Sequence, residues 1–458
     1  MIPFGLLGGF CDHLEIRITG LSEKGFSFRV PEKIEKAACL DICFFDFSAD
    51  CYRKVQLAEK EREMKLTEET PFFFIYSVWT KNGEYREQVK RLVTDYDNYI
   101  SLKLAGDDAY LSEKMVGYPA ELDEVYAESF EEQKKEWFSC VGDGIQECRN
   151  TWEHKKWNIT DLPEFELAIT IDRPELYYDF LQKDWTRFCH DYWKNNFLEH
   201  HTLSKKRVTR IYIGNQFCHN LFPRKELLFQ VLEKALENNL AVTLAFSYIR
   251  NHLLEEIDEL LQELEVWCQS REKEAGKDQE EIIVNDWAMP ILLQGKPHLK
   301  PVLGVLLNKR RKDVRLPCKH GIGNHVDSLA ENNLNCGFYQ DYLKNTFDIQ
   351  RFEFESCGYK VTIPDGHHSL HLPFFQTNTS QYCTLYAVCR YGDRGKQKLT
   401  ENCPRYCNKK VFLYPKHLKM VGRYNSLFGY DEKILWDEKQ LQDYLEQGID
   451  RIVVNVSL

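Results

Sequence analysis

Residues 165–172 read FELAITID, an apolar and β-branched run that has the length of one strand. The same pattern returns at residues 207–214 (RVTRIYIG) and 241–249 (AVTLAFSYI). The segment between the second and third strands starts at Pro223 and carries apolar residues at helical spacing: Leu227, Leu228, Val231, Leu232 and Leu236. Near-continuous apolar strands that alternate with amphipathic helices indicate a parallel sheet covered on both faces.

This alternation continues to the end of the chain. Two further helical stretches are predicted at residues 174–197 and 253–268, and further strands at 281–287, 300–307, 352–357, 368–375 and 451–456. The length of this region is close to the roughly 250 residues typical of a TIM barrel. We therefore predict an α/β fold in which residues 160–458 form a (β/α) TIM-barrel-like domain.

The first part of the chain has a different pattern. Residues 14–30, LEIRITGLSEKGFSFRV, are two β-rich runs around a turn at Ser22–Gly25. Further strands are predicted at residues 40–47, 70–79 and 99–106, followed by a charged helical stretch at 122–138. Residues 1–155 therefore predict a small β-rich domain with a helical tail, and the polar segment at 149–162 predicts the linker.

Composition limits the class of protein. Of the 458 residues, 43% are hydrophobic, which is too many for a disordered chain, and the net charge of −11 argues against nonspecific coating of nucleic acid. The basic run at residues 308–315 is interpreted as a solvated loop. No stretch has the roughly 18–20 apolar residues of a membrane span, and no targeting signal is evident. We expect a cytoplasmic protein, in which thiols stay reduced.

Sixteen cysteines are present, and four of them fall within residues 383–407, CTLYAVCRYGDRGKQKLTENCPRYC. These are Cys383, Cys389, Cys403 and Cys407. The chain has no C-x2-C pair, which is the usual knuckle of a zinc site. Four thiolates are also the ligand set of a [4Fe–4S] cluster, and one ligand can come from far away, such as Cys218 after the strand at 207–214. An iron–sulfur cluster, a zinc ion and unligated thiols all remain open at this point.

Four segments resemble the peptidase U32 (collagenase-like) family, closest to its iron–sulfur branch used in oxygen-independent ubiquinone hydroxylation. They are IYIGNQFC (211–218), EIIVNDW (281–287), LGVLLNKRR (303–311), and CTLYAVCRYGDRG leading to CPRYC (383–407). The resemblance implies a [4Fe–4S] cluster on Cys218, Cys389, Cys403 and Cys407, with Cys383 as a spare or a replacement. It also implies an enzyme of an oxygen-independent hydroxylation or related redox system, an organic or RNA substrate, and a second U32-type subunit as partner.

Other residues are candidates for the substrate side of the site. Strand alternation places His371 on one face with Ser369, either as a proton donor or as an ordinary strand histidine. Asn285 and Asp286 follow a parallel strand, where polar side chains bind substrate or cap the next turn. Arg394 lies between the cysteines, where a cation offsets thiolate charge, holds an anionic substrate or is simply solvated.

The N-terminal region is similar to a PilZ domain at GLSEKGFSFRV (20–30), which matches that family's D/N-x-S-x-x-G turn. Gly20 replaces the Asp or Asn and no R-x3-R pair precedes it, so we do not expect cyclic di-GMP binding.

Two alternative functions are a nucleotide-sensing regulatory protein with a structural metal cluster and a collagenase-like peptidase. The sequence has no H-E-x-x-H or G-x-S-x-G motif that would support a peptidase.

Overall fold

The computed structural model divides the chain into two compact units. The first holds the described residues between Leu6 and Ala105 together with Ala330 and Glu331, and the second holds the others. The structure describes residues 6–12, 14–35, 37–46, 51–70, 73–105, 131, 134–135, 137–138, 162–275, 279–310, 312, 330–393, 395–396, 398–400, 402–413 and 419–457. Except for Leu162, the predicted linker at 149–162 lies outside them.

The first unit contains one antiparallel sheet of seven strands. They are β1 (Leu7–Cys11), β2 (Leu14–Ser22), β3 (Gly25–Val30), β4 (Leu40–Asp46), β5 (Cys51–Leu57), β6 (Arg62–Glu69) and β7 (Phe74–Thr80). Their order across the sheet is β5-β4-β1-β2-β3-β7-β6. The β-rich N-terminal region is therefore confirmed, whereas its resemblance to a PilZ domain stays a prediction.

The predicted hairpin of this unit is present, with β2 ending at Ser22 and β3 starting at Gly25. Glycine is required at residue 25, because a Cβ on Gly25 would lie 1.9 Å from the carbonyl oxygen of Val78 on β7. The Ser22 hydroxyl also donates a hydrogen bond to the Gly25 carbonyl at 3.0 Å. Close packing of three strands therefore explains the Ser-x-x-Gly turn without any ligand.

The prediction of a strand at residues 99–106 is wrong. Residues 99–105 are the last two turns of helix α1 (Gly83–Ala105), which the Asn82 side chain caps by accepting a hydrogen bond from the Tyr85 amide at 2.9 Å. Tyr85, Val89 and Leu92 are buried in the core of the unit, at helical spacing. The helix continues through the β-rich run because this amphipathic pattern begins well before it.

The second unit is built on eight parallel strands. They are β8 (Glu166–Ile171), β9 (Arg210–Gly214), β10 (Ala241–Ala245), β11 (Glu280–Val284), β12 (Leu299–Leu303), β13 (Glu353–Glu355), β14 (His368–Leu372) and β19 (Ile449–Val454). Their order is β12-β11-β10-β9-β8-β19-β14-β13, and every pair is parallel. One isolated parallel bridge, Leu303 with Phe352, joins the two edges, so the barrel is nearly closed. This confirms the mixed α/β architecture with a barrel-like parallel sheet.

Helices follow most of these strands. They are α2 (Pro174–Gln182), α3 (Trp185–Asn195), α4 (Lys225–Glu237), α5 (Leu254–Ala275), α6 (Met289–Leu292), α7 (Gly337–Phe347), α8 (Thr384–Tyr391) and α9 (Glu438–Glu446). The stretch predicted as helical at residues 174–197 is two helices. The second starts anew at Asp184, whose side chain accepts a hydrogen bond from the Arg187 amide.

A second, antiparallel sheet is inserted between the last two barrel strands, and the sequence analysis did not identify it. Its strands are β15 (Phe374–Thr379), β16 (Phe412–Leu413), β17 (Met420–Arg423) and β18 (Ser426–Tyr430), in the order β15-β18-β17-β16. Strands of two to six residues carry too few positions to show an alternation. This insertion contains the cysteine-rich segment.

Charged side chains fill the N-terminal end of the barrel interior. Arg451 forms ion pairs of 2.6 Å with both Glu166 and Glu281, and Arg210 contacts the same carboxylates at 3.0 and 3.3 Å. Although burial alone would raise it, the two guanidinium groups lower the pKa of Glu281 to about 2. The network therefore joins the first, second, fourth and last barrel strands through paired charges.

A short helical segment packs on the inserted sheet of the same unit. Trp137 stacks on Tyr430 with ring centroids 5.0 Å apart, and Phe138 contacts Phe374. Lys134 is buried and donates a hydrogen bond to the Asn196 side chain at 2.7 Å. Burial, with repulsion from two nearby arginines, lowers the pKa of Lys134 to about 7. The described residues of the predicted 122–138 helix are thus helical.

We predict that Arg451→Met destabilises the barrel by about 3 kcal/mol, because it removes the buried guanidinium that Glu166 and Glu281 share and leaves these partly buried carboxylates to Arg210 and Arg351. Urea unfolding followed by tryptophan fluorescence measures the change. Arg187→Met is the matched control, because the Arg187–Asp191 pair is exposed on the arginine side and should contribute less than about 1 kcal/mol. Equal effects of the two substitutions would contradict the role given to the interior network.

We predict that Lys134→Met stabilises the protein at pH 7 and that the advantage shrinks toward pH 10. The folded state holds a lysine whose pKa is below that of the unfolded chain, so wild-type stability rises with pH between these two values. The expected difference at pH 7 is on the order of a few kcal/mol. The exposed neighbour Lys135→Met is the control. A difference independent of pH would exclude a buried neutral lysine.

Candidate functional site: a group of four cysteines at the mouth of the barrel

Cys218 is placed by the loop that follows β9. The Asn215 side-chain oxygen accepts hydrogen bonds from the Phe217 and Cys218 amides at 3.0 and 2.9 Å, and its amide group donates to the Asp172 carbonyl at 3.3 Å. Asn215 is almost fully buried. The turn is therefore tied to the end of the neighbouring strand β8, at the C-terminal side of the sheet, where the active-site loops of barrel enzymes lie.

Cys383 is the N-cap residue of α8. Its sulfur accepts a hydrogen bond from the Tyr386 amide at 3.3 Å, and its thiol donates one to the Tyr424 carbonyl at 3.1 Å. Tyr424 lies in the turn between β17 and β18 of the inserted sheet. The thiol is thus held between a helix N-terminus and a β-turn.

Cys403 and Cys407 lie on one tight turn. Arg405 between them has a left-handed backbone, with φ 56° and ψ 48°, and its amide donates a hydrogen bond to the Cys403 sulfur at 3.4 Å. The Cys407 carbonyl accepts a hydrogen bond from the Arg423 guanidinium at 3.0 Å. The turn that the C-x3-C spacing requires is therefore present.

Four of the five candidate thiols lie close together, and we call Cys218, Cys383, Cys403 and Cys407 the cysteine group. Burial is the main cause that raises the pKa of three of them, Cys218, Cys383 and Cys407, to about 12. Other members of the group add to each shift, so that all six pairs within the group interact. Cys389 takes part in none of these interactions; burial raises its pKa and Lys410 opposes the shift.

The cations beside the cysteine group come from distant parts of the chain. Arg250 lowers the pKa of Cys218 and Arg423 lowers that of Cys407, against the larger effect of burial. Of the basic residues between the cysteines, Arg390 and Lys396 are exposed, and Arg394 lies outside the described residues. From the sequence, Arg250 could have been named as a candidate because it follows β10 closely, whereas Arg423 has no such signal.

His371 points into the barrel, as strand alternation predicts. Its Nε2 lies 2.5 Å from a carboxylate oxygen of Glu353, which also accepts a hydrogen bond from the Tyr212 hydroxyl at 3.1 Å. These side chains lie below a cavity of about 40 Å³ lined by His371, Tyr212 and Asn215 among others. That volume holds one or a few water molecules and no larger ligand.

Asn285 and Asp286 have the hydrogen bonds of capping residues. Asn285 is bonded to the Phe246 carbonyl and the Leu306 amide, at 2.8 and 3.1 Å. Asp286 accepts hydrogen bonds from the Ile249 amide and from the two amides that open α6. Both residues also line a surface pocket of about 570 Å³. Their carboxylate and amide groups hold the loops after β10 and β11 together.

The interpretation of residues 308–315 as a solvated loop is wrong for two of its basic side chains, Arg310 and Lys312. Lys312 forms a buried ion pair with Glu355, and Arg310 donates to the Cys357 sulfur at 2.9 Å and to the Glu355 carbonyl. The buried carboxylate of Glu355, the last residue of β13, pairs with Lys312, because a buried charge requires a partner. This contact could not be deduced from composition.

A groove of about 670 Å³ opens beside Cys403. Its walls include His219, His252 and Thr400, together with apolar side chains of α5 such as Ile257. Within the described part of the chain, no hydrogen bond reaches the His219 ring, and the buried Thr400 hydroxyl has no partner. Burial lowers the pKa of His219 to about 4, so the ring is neutral. Neutral imidazole and hydroxyl groups in a groove of this size can bind a small molecule.

The cysteine group supplies four thiols as a possible donor set. Among the described residues, no three or more histidine, cysteine or acidic side chains meet at the distances of one metal ion. A [4Fe–4S] cluster is larger and is held by four cysteine thiolates, which is the number in the group.

The fold and the site together define a barrel-like α/β protein with four convergent thiols at the C-terminal mouth. No protein-family model, curated protein or solved structure matches the chain. The U32 resemblance therefore stays a prediction that rests on the quoted segments.

In the part of the chain that the structure describes, no helix has both the length and the apolar character needed to cross a membrane.

We predict that Asn215→Ala lowers stability by about 2 kcal/mol, because it leaves the partly buried amides of Phe217 and Cys218 without their acceptor. The loop that carries Cys218 should also loosen, so that alkylation of this thiol by iodoacetamide in the metal-free protein becomes faster. Peptide mass spectrometry measures the rate, and Asn195→Ala, at an exposed asparagine, is the control. An unchanged alkylation rate would show that Asn215 does not position Cys218.

Proposed function

We propose that this chain is an iron–sulfur protein of the U32 type that takes part in an oxygen-independent hydroxylation or related redox modification. Three ligands of a [4Fe–4S] cluster would be Cys218, Cys403 and Cys407, and the fourth would be a thiolate from residues 383–389. The observation that carries the proposal is the convergence of thiols from two distant segments at the mouth of the barrel. Four thiols that converge in this way supply the number and type of ligands that a [4Fe–4S] cluster takes.

The residues around the cysteine group suit this role. When bound, the cluster would supply one-electron transfer. Arg250 and Arg423 would offset the negative charge of the thiolates, and the turn at Arg405 would hold Cys403 and Cys407 on one centre. A left-handed backbone at a residue other than glycine is strained, and such strain concentrates at functional sites.

The substrate side would be the groove beside Cys403. Its free His219 ring and Thr400 hydroxyl can orient an organic molecule or a base of an RNA, while the apolar side chains of α5 cover the rest. The small cavity above His371 would hold water, and Asn285 and Asp286 would keep the surrounding loops in place. A second U32-type subunit is the expected partner, because the nearest branch works as one half of a pair.

We predict that the protein purified under anaerobic conditions contains about four irons and four sulfides per chain and absorbs broadly in the visible range. Cys403→Ser should lose most of the iron and the absorbance. The matched control is Cys336→Ser, at an exposed cysteine outside the cysteine group, which should keep both. A wild-type protein with one zinc or no metal would overturn the proposal. Tight binding of cyclic di-GMP would instead favour the regulatory alternative.

A further inference from the structure

Helix geometry separates two of the candidate thiols. Cys383 is the N-cap of α8, and Cys389 lies near the other end of the same helix. Six residues of α-helix correspond to an advance of about 9 Å and a rotation of about 240° beyond one full turn. Two side chains at this spacing point to different sides, so they cannot both bind one cluster while α8 is helical.

The contacts of Cys383 direct it to the cysteine group. Its sulfur contacts the Tyr424 carbonyl at 3.1 Å, and the neighbouring residue Arg423 donates a hydrogen bond to the Cys407 carbonyl at 3.0 Å. One β-turn therefore contacts both Cys383 and Cys407.

The surroundings of Cys389 are different. It is half-buried on α8, and the charged group that acts on it is Lys410. Between Cys389 and the other four candidate thiols the structure shows no interaction within the described residues. In its present place, Cys389 would require α8 to unwind before it could join Cys218, Cys403 and Cys407.

We propose that Cys383, and not Cys389, is the fourth ligand of the cluster, so that the ligand set is Cys218, Cys383, Cys403 and Cys407. This inference rests on the proposed function and corrects the set that the U32 resemblance implies. The sequence pattern then becomes Cys-x19-Cys-x3-Cys after the early cysteine. Cys389 remains a free thiol on the outer part of α8.

The N-cap position gives Cys383 a second property of a ligand. The Tyr386 amide already donates a hydrogen bond to its sulfur at 3.3 Å. The first amides of a helix have no partner within the helix, and their dipoles favour a negative charge at this end. A thiolate ligand at this place is therefore stabilised by the backbone itself, and an N–H···S bond of this kind raises the reduction potential of an iron–sulfur cluster.

The first test compares two serine variants of the full-length chain, purified under anaerobic conditions. Cys389→Ser should keep the wild-type content of iron and sulfide, whereas Cys383→Ser should keep less than about a tenth of the iron. Serine is nearly isosteric with cysteine and can still cap α8, so a matching far-ultraviolet circular dichroism spectrum shows that Cys383→Ser is folded.

A second measurement needs no variant of the ligands. Iron-loaded wild-type protein is treated with iodoacetamide without oxygen, and the labelled peptides are identified by mass spectrometry. We expect Cys389 to be labelled and Cys383 to be protected, and removal of iron with a chelator should expose Cys383 at least about tenfold faster, since a bound metal masks its ligands.

The possible failures are distinguishable. Wild-type protein without iron would remove the proposed function itself. Iron-loaded wild type in which Cys389→Ser loses the iron, or in which Cys389 is protected and Cys383 is labelled, would overturn the ligand assignment and leave the proposed function in place. Loss of iron in Cys383→Ser alone, with protection of Cys383 in the wild type, would support it.

Discussion

Closure of the barrel is the constraint on which the rest of the second unit depends. Strand β8 pairs with β19, so Glu166 lies opposite Arg451, and the ion pair between the partly buried Glu166 and the buried Arg451 joins the first and last barrel strands. Since all eight strands run in one direction, closure brings their C-terminal ends to one side. The loop after β9 and the sheet inserted before β19 therefore meet at the same mouth, although they are far apart in sequence.

The cysteine group is a consequence of that meeting. Cys218 comes from the loop after β9, and the other three members come from the insertion. Burial, with a smaller effect of the other members, raises the pKa of Cys218, Cys383 and Cys407 to about 12, so these thiols hold their protons when no ligand is bound. A metal cluster would be held by the deprotonated thiolates of the group, so its binding would release protons. Arg250 and Arg423 would offset the negative charge at the edge of the site.

Much of this architecture could be predicted from the sequence, for physical reasons that are clear. The barrel strands are apolar runs, because both of their faces are covered, and the gaps between them show helical periodicity. The inserted sheet could not be found in this way, since its strands are too short. The resemblance implied a ligand set of Cys218, Cys389, Cys403 and Cys407, and this set stays a prediction. The place of Cys383 depends on where α8 begins, which spacing alone does not show. Arg250 and Arg423 owe their positions to tertiary contacts.

We expect the cysteine group at the mouth of the barrel to bind iron through sulfur. X-ray absorption across the iron and zinc edges of anaerobically purified wild-type protein tests this most directly, because it identifies the metal and its ligands in one sample. The predicted result is an iron edge with a first shell of sulfur and a second shell of iron, as in a [4Fe–4S] cluster. A zinc edge without iron, or iron bound only by oxygen and nitrogen, would contradict it.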